Sequence, residues 1–187
     1  YNKGGTPRRW YGNQEYIVNF ENDGHDICQF IDTNPAARVG SNGRVINRQS
    51  YYRVGITWGD ITFKNKDGEE SFAARLSPGG FIFDIKGSSG FPDEDKRIPL
   101  LCLLNSKVLR GYMSFLNPTM TFQVGDISQV PYAIEKGSSD KLQRLGCELV
   151  DNAKNNWNMI ETSYDFNSYL GHVRGSRIKN EQQAAHS

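Results

Sequence analysis

Lys86-Gly87-Ser88-Ser89-Gly90 is the stretch of this sequence that reads as an anion cradle. Its free backbone amides, two hydroxyls and one ammonium can all donate to a phosphate, although no named phosphate-binding motif is present. A second set of donors runs through Arg38, Asn42, Arg44, Asn47, Arg48 and Gln49, followed by Arg53 and Thr57. No acidic residue occurs between Asp32 and Asp60, so four arginines stand there unopposed while the whole chain carries a formal charge of only +1. The positive field is therefore local. These residue types suit duplex DNA, whose phosphates are held by Lys, Arg and backbone N–H groups and whose base edges are read by Arg, Lys, Asn, Gln, Ser and Thr. Arg8, Arg9 and Trp10 form a further candidate patch. For each single arginine the plain alternative is a surface charge, and for Trp10 and Trp58 it is packing rather than base stacking.

Covalent chemistry has no comparable footing. Gly87-Ser88-Ser89-Gly90 is not a Gly-x-Ser-x-Gly nucleophile elbow, and no histidine can be linked to it from sequence. Asp93, Glu94 and Asp95 read as a solvated loop, whereas a metal-dependent nuclease needs carboxylates spread over strands with a nearby lysine. Cys28, Cys102 and Cys147 are odd in number and widely spaced, with only His25, His172 and His186 as companions, which argues against zinc and against a disulfide framework. Small buried thiols in a reducing compartment are the expectation. The catalytic and metal sets are expected to be empty.

The elements that must carry these groups follow from the pattern. With 187 residues, 37% hydrophobic, 12% aromatic and 19 glycines, one loop-rich domain containing strands is expected. No run is long enough for a membrane span, and the expectation is a soluble cytoplasmic protein without membrane partners. The opening residue is Tyr1 and not Met, which suggests a piece of a longer chain. Ile56 to Phe63 and Phe81 to Ile85 read as strands joined through the turn-rich Lys66-Asp67-Gly68 and Ser77-Pro78-Gly79-Gly80, and Glu15 to Phe20 alternates enough to be another. Asn22-Asp23-Gly24 is a turn, and Ile27, Phe30 and Ile31 fit a short helical or extended segment. Thr33 to Ser50 loses apolar periodicity and reads as a functional loop. Ile98 to Ser106 is expected to be a helix with Pro99 in its first turn, Lys107 to Phe115 a second helix stopped by Asn117-Pro118, and Thr121 to Val124 a strand. The clearest periodicity is C-terminal: from a cap at Ser138 or Ser139, Leu142, Leu145, Leu149, Ala153, Trp157 and Ile160 recur at helical intervals, with Gly146 as an internal weakness. This divides the chain into a β-rich part over 1–133, a helix over 134–166 that packs on it or acts as a spacer, and a flexible tail over 167–187.

Several segments, taken together and in order, resemble the target-recognition region of the PglX-type adenine-specific DNA methyltransferases of BREX phage-defence systems. They are Lys3-Gly4-Gly5, Arg9-Trp10-Tyr11-Gly12-Asn13, Gly55-Ile56-Thr57-Trp58, Ser77-Pro78-Gly79-Gly80-Phe81-Ile82-Phe83-Asp84, Lys86-Gly87-Ser88-Ser89-Gly90-Phe91-Pro92 and Leu103-Leu104-Asn105-Ser106-Lys107. The series continues with the run from Asn117 to Ile127, then Trp157 and the run from Glu161 to Phe166. The resemblance implies kinship with the specificity domains of type I and type IIG restriction-modification systems. The implied fold is mixed α+β, with a curved or partly barrel-like sheet and C-terminal helices. It also implies double-stranded DNA, the catalytic methyltransferase domain of the same parent chain and other defence-system subunits as partners. S-adenosylmethionine would be bound by the parent, with no cofactor in this chain.

Two departures bear on that inference. Such methyltransferases hold a flipped adenine with an Asn-Pro-Pro-Tyr signature, and this chain offers only Asn117-Pro118-Thr119-Met120, which matches a different, downstream segment of the family. No glycine-rich loop for S-adenosylmethionine is present either, so this chain is expected not to catalyse methyl transfer. Lys64 to Glu70 is longer than the family pattern and Asp32 to Ser50 matches it poorly, as a base-reading region that varies would. The competing expectation is a protein-interaction module of the same defence complex, docking through the C-terminal helix without reading DNA.

Overall fold

The computed structural model describes residues 1–38, 45–59, 63–64, 70–84, 86–116, 122–163 and 165–166. At its centre lies β1 (Gly55–Trp58), buried at all four positions. Its β-branched and aromatic residues suit a strand enclosed on both faces. Two short strands, β2 (Phe63–Lys64) and β3 (Glu70–Ser71), pair antiparallel with each other. β4 (Ala74–Ser77) runs antiparallel to β1 in the register Gly55↔Ser77 to Trp58↔Ala74. On the other edge, β5 (Ser89–Gly90) pairs through Ile56↔Gly90 and Thr57↔Ser89, so the sheet order is β4-β1-β5. The architecture is mixed α+β with a small open antiparallel sheet.

Helices close the remaining sides. α1 (Glu21–Thr33) opens through Asn22, Asp23 and Gly24, all left-handed, so the expected turn is present and regular helix follows it. α2 (Glu94–Leu104) and α3 (Lys107–Leu116) fulfil the two expected helices, but α2 starts early enough that Pro99 lies inside it and not in its first turn. α4 (Val124–Ser128) is short, and α5 (Lys136–Asn158) starts slightly before the serines expected to cap it. Ile56, Trp58, Ala74, Leu101, Leu104, Leu109, Met113, Phe122, Val150 and Trp157 form one apolar core between sheet and helices. The Trp58 indole donates to the Phe122 carbonyl at 3.0 Å, which satisfies its only polar atom. α5 approaches α2 closely because residue 146 is glycine: a Cβ there would run into Ile98 and lie 2.7 Å from the Cys102 sulfur.

Three expected strands take other forms. Phe81 to Ile85 is no ladder strand: Phe83 makes one parallel bridge to Asn2, and Ile85 lies outside the described residues. The partner of β1 is instead Ala74–Ser77, whose buried Arg75 hides it from any apolar pattern. Glu15 to Phe20 forms no strand either: Tyr16 and Ile17 face solvent, Ile17 at 90% exposure, and the Tyr16 carbonyl accepts the Tyr1 ammonium at 2.8 Å in place of a ladder partner. Val124 opens a helix because Asp126 accepts the Gln123 amide at 3.0 Å, a local cap that outweighs β-branched propensity. The turns Lys66-Asp67-Gly68 and Asn117-Pro118, and the tail over 167–187, lie outside the described residues.

The N-terminal segment completes the sheet. Trp10 pairs along the free edge of β4, donating to the Ala74 carbonyl at 3.0 Å and accepting from the Leu76 amide at 2.8 Å. Edge groups that would otherwise stand unpaired are thereby covered.

Candidate nucleic-acid interface

The turn from Asn47 to Val54 projects from the sheet on a base of aromatic rings. Asn47 is left-handed, which asparagine tolerates, and Arg48–Ser50 form one 3-10 turn closed by the Tyr51 amide on the Arg48 carbonyl at 3.0 Å. Tyr51 then points inward. It is 8% exposed and meets Phe20 and Phe83 edge to face, with centroids 5.6 and 5.3 Å away. Phe83 in turn packs on Phe91 at 5.5 Å, and the Arg53 guanidinium lies 5.2 Å from the Phe91 ring. Arg53 is exposed but oriented by that cation–π contact. Arg48, also exposed, reaches back to α1 with Nη2 donating to Cys28 Sγ at 2.7 Å. Asn47, Arg48, Gln49, Tyr52, Arg53 and Val54 are all exposed, in a stretch of sequence free of carboxylates.

The loop from Lys86 to Gly90 has a different role from the expected anion cradle. Asp84 already occupies its amides: Oδ1 accepts from the N–H groups of Lys86 at 2.8 Å and Gly87 at 3.1 Å, while Oδ2 accepts the Tyr1 hydroxyl at 2.5 Å. Ser88 is buried, and its carbonyl accepts the Trp58 amide at 3.0 Å and the Thr57 hydroxyl at 2.9 Å. Thr57, 2% exposed, also accepts from Asn2 Nδ2, so neither Thr57 nor Ser88 faces a phosphate. The half-buried Ser89 hydroxyl donates to the Gly87 carbonyl at 2.8 Å. Only Lys86 of this loop is exposed. An internal carboxylate has taken the place envisaged for a ligand phosphate.

Arg8 and Arg9 belong to another face. The Arg8 guanidinium sits 4.6 Å from the Trp157 ring of α5, in space left by Gly12. Arg9 is exposed at the mouth of a cleft of about 330 Å³ floored by Phe72, Leu104, Leu109, Met113 and Phe122. Arg38 ends the 3-10 turn Pro35–Arg38, and Asn42 and Arg44 lie outside the described residues.

Two residues that carry this architecture have no signal in the sequence pattern. Arg75, 1% exposed, donates through Nη2 to Asn2 Oδ1 at 3.0 Å and to the Gly4 carbonyl at 2.6 Å, stapling the N-terminal segment to β4. Burial pushes its pKa down to about 10, with Arg8 adding in the same direction, so it remains charged at neutral pH. Tyr52 is the other: half-exposed, with φ +63°, it stands beside Arg53. A non-glycine residue at positive φ is a signal visible only in the backbone.

Among the described residues no group of His, Cys, Asp and Glu is placed to hold a metal ion, and no helix is long and apolar enough to cross a membrane. The three cysteines are free thiols. The site consists of donors, rings and charges, suited to gripping a polyanion by its backbone and touching flat apolar surfaces.

No protein-family model matches the chain. Among curated proteins it is similar to the adenine-specific methyltransferase PglX of Lacticaseibacillus casei (strain Zhang), 36% identical over 172 residues, which is 91% of this chain and 13% of that protein. It is also similar to the adenine-specific methyltransferase BrxX of Escherichia coli O9:H4 (strain HS), 30% identical over 167 residues, 88% of this chain and 12% of that protein. The chain thus spans about an eighth of the length of the relatives it matches. It is PglX-like, similar over nearly its whole length to one limited portion of these adenine-specific methyltransferases.

Proposed function

We propose that this chain is a target-recognition module that holds and reads duplex DNA, so that the catalytic part of a PglX-type methyltransferase can act on an extruded adenine. In this reading S-adenosylmethionine and the methyl-transfer chemistry belong to that catalytic part, and the present chain supplies grip and register. Kinship with the specificity domains of restriction-modification systems, and a role in marking host DNA against phage, are parts of the same proposal.

The observation that carries it is the exposed, acid-free turn Asn47–Val54, whose Arg48 and Arg53 are held in place by Cys28 and Phe91. Cations fixed in position lose less side-chain entropy on meeting phosphates than free ones, so they favour a polyanion. Binding of mixed-sequence duplex at a series of salt concentrations tests this. Affinity is expected to fall steeply with salt, and replacing both Arg48 and Arg53 by alanine is expected to flatten the slope by up to about two phosphate contacts.

A second reading rests on α5. Leu145 and Leu149 are 36% and 40% exposed on a helix whose Val150 and Trp157 are buried against the core. If that outer stripe is the working surface, the chain is an interaction module of the defence complex. Association would then be insensitive to salt and abolished by charged substitutions at Leu145 and Leu149.

A further inference from the structure

The turn Asn47–Val54 contains one residue whose backbone is strained and whose side chain the fold does not bury. Tyr52 sits at φ +63°, a conformation that costs a bulky L-residue free energy and that glycine or asparagine adopts with ease. Two backbone hydrogen bonds enforce it: the Tyr52 amide donates to the Phe81 carbonyl at 2.8 Å, and the Gly80 amide donates to the Tyr52 carbonyl at 3.0 Å. The effect is to point consecutive residues in opposite senses. Tyr51 is buried among Phe20 and Phe83, whereas Tyr52 is 49% exposed and its ring meets the Tyr51 ring edge to face, with centroids 6.4 Å apart. Gly80, whose amide holds the Tyr52 carbonyl, has φ +89° and open space where a Cβ would be. Arg48 and Arg53 flank Tyr52 in sequence, both exposed. A large ring held out by strained backbone, between two fixed cations and free of nearby carboxylates in sequence, has the chemistry of a base-stacking contact.

Resting on the DNA-binding reading above, we propose that Tyr52 stacks on a base at an opened step of the bound duplex, while Arg48 and Arg53 hold the phosphates on either side. Its contribution differs in kind from theirs. Stacking is nearly independent of salt, and it is strongest where a base is already unpaired, because unstacking a paired base costs free energy.

The test compares wild type, Tyr52→Ala, Tyr52→Phe and Arg53→Ala, each shown to be folded, on short mixed-sequence duplexes that are either fully paired or carry one central mismatch. Wild type is expected to favour the mismatched duplex. Tyr52→Ala is expected to lose that preference and roughly five- to a hundred-fold in affinity for the mismatched duplex at an unchanged salt slope. Tyr52→Phe should retain both, and Arg53→Ala should keep the preference while flattening the salt slope. DNA binding by Tyr52→Ala with undiminished affinity and mismatch preference overturns this inference and leaves the DNA-binding reading standing. Absence of DNA binding by folded wild type overturns both.

Discussion

Single residues in this protein set what is presented and what is hidden. At Tyr52 the left-handed backbone costs about 1–2 kcal/mol relative to a residue that prefers it, so Tyr52→Gly is expected to raise the melting temperature by a few degrees while weakening DNA binding. A melt alongside a binding titration checks both halves, and a fall in both stability and binding would mean that the ring is structural. Tyr51 makes a different prediction. Burial pushes its phenol above the ordinary tyrosine value, against a smaller opposing pull from Arg48, and burial does the same at Tyr1 and Tyr11, with Asp84 and Asp165 adding. A raised folded pKa favours the protonated ring, so this stability is fully present below the unfolded value of 10.0 and is lost as pH rises from there through the higher folded value. Arg75, whose pKa is lowered, acts oppositely in the same alkaline window, so the useful quantity is a difference between proteins. Tyr51→Phe is expected to lose less melting temperature than wild type between about pH 8 and about pH 11. Equal losses would show that Tyr51 does not titrate with unfolding.

At the scale of elements, α5 and its seat on α2 illustrate how glycine serves packing and not helix propensity. Gly146→Ala would gain about 1 kcal/mol of propensity, yet its methyl meets Ile98 and Cys102 across the helix contact. Overpacking costs about 1–3 kcal/mol and wins, so the variant is expected to unfold at a lower urea concentration with an unchanged slope. A higher midpoint would mean that the helices part freely. The helices are the legible part of the fold, because α2, α3 and α5 bury apolar faces whose spacing shows in the sequence. The sheet is half legible. β1 announces itself by Ile56-Thr57-Trp58, but its main partner contains a buried arginine whose charge is accommodated by Asn2 and Gly4, residues more than 70 positions away. No local pattern reports such a pairing. Phe81 to Ile85 has strand composition, but its Phe83 ring packs on Tyr51 and Phe91 and the segment makes no ladder.

For the whole molecule, a formal charge of +1 hides an uneven surface, and the acid-free span from Thr33 to Gly59 is legible in the order of residues alone. Among the described residues of that span, the exposed Arg48 and Arg53, in contact with Cys28 and Phe91, are the part of the candidate site that sequence locates. The Lys86 loop shows where residue order stops being informative: amides counted as free donors are consumed by Asp84, two residues upstream of the loop. Thr57 and Ser88 likewise have ideal chemistry and no access. Similarity to one portion of PglX and BrxX places the chain beside adenine-specific methyltransferases, and the surface suggests what such a portion contributes. The most direct check is the salt dependence of duplex binding by the 187-residue chain and its Arg48→Ala/Arg53→Ala variant. Steep weakening with salt in the wild type, with a slope shallower by up to about two phosphate contacts in the variant, is the expected result. Binding whose salt slope is the same in both proteins, or no binding by folded wild type even at low salt, would contradict a DNA-gripping role for this turn.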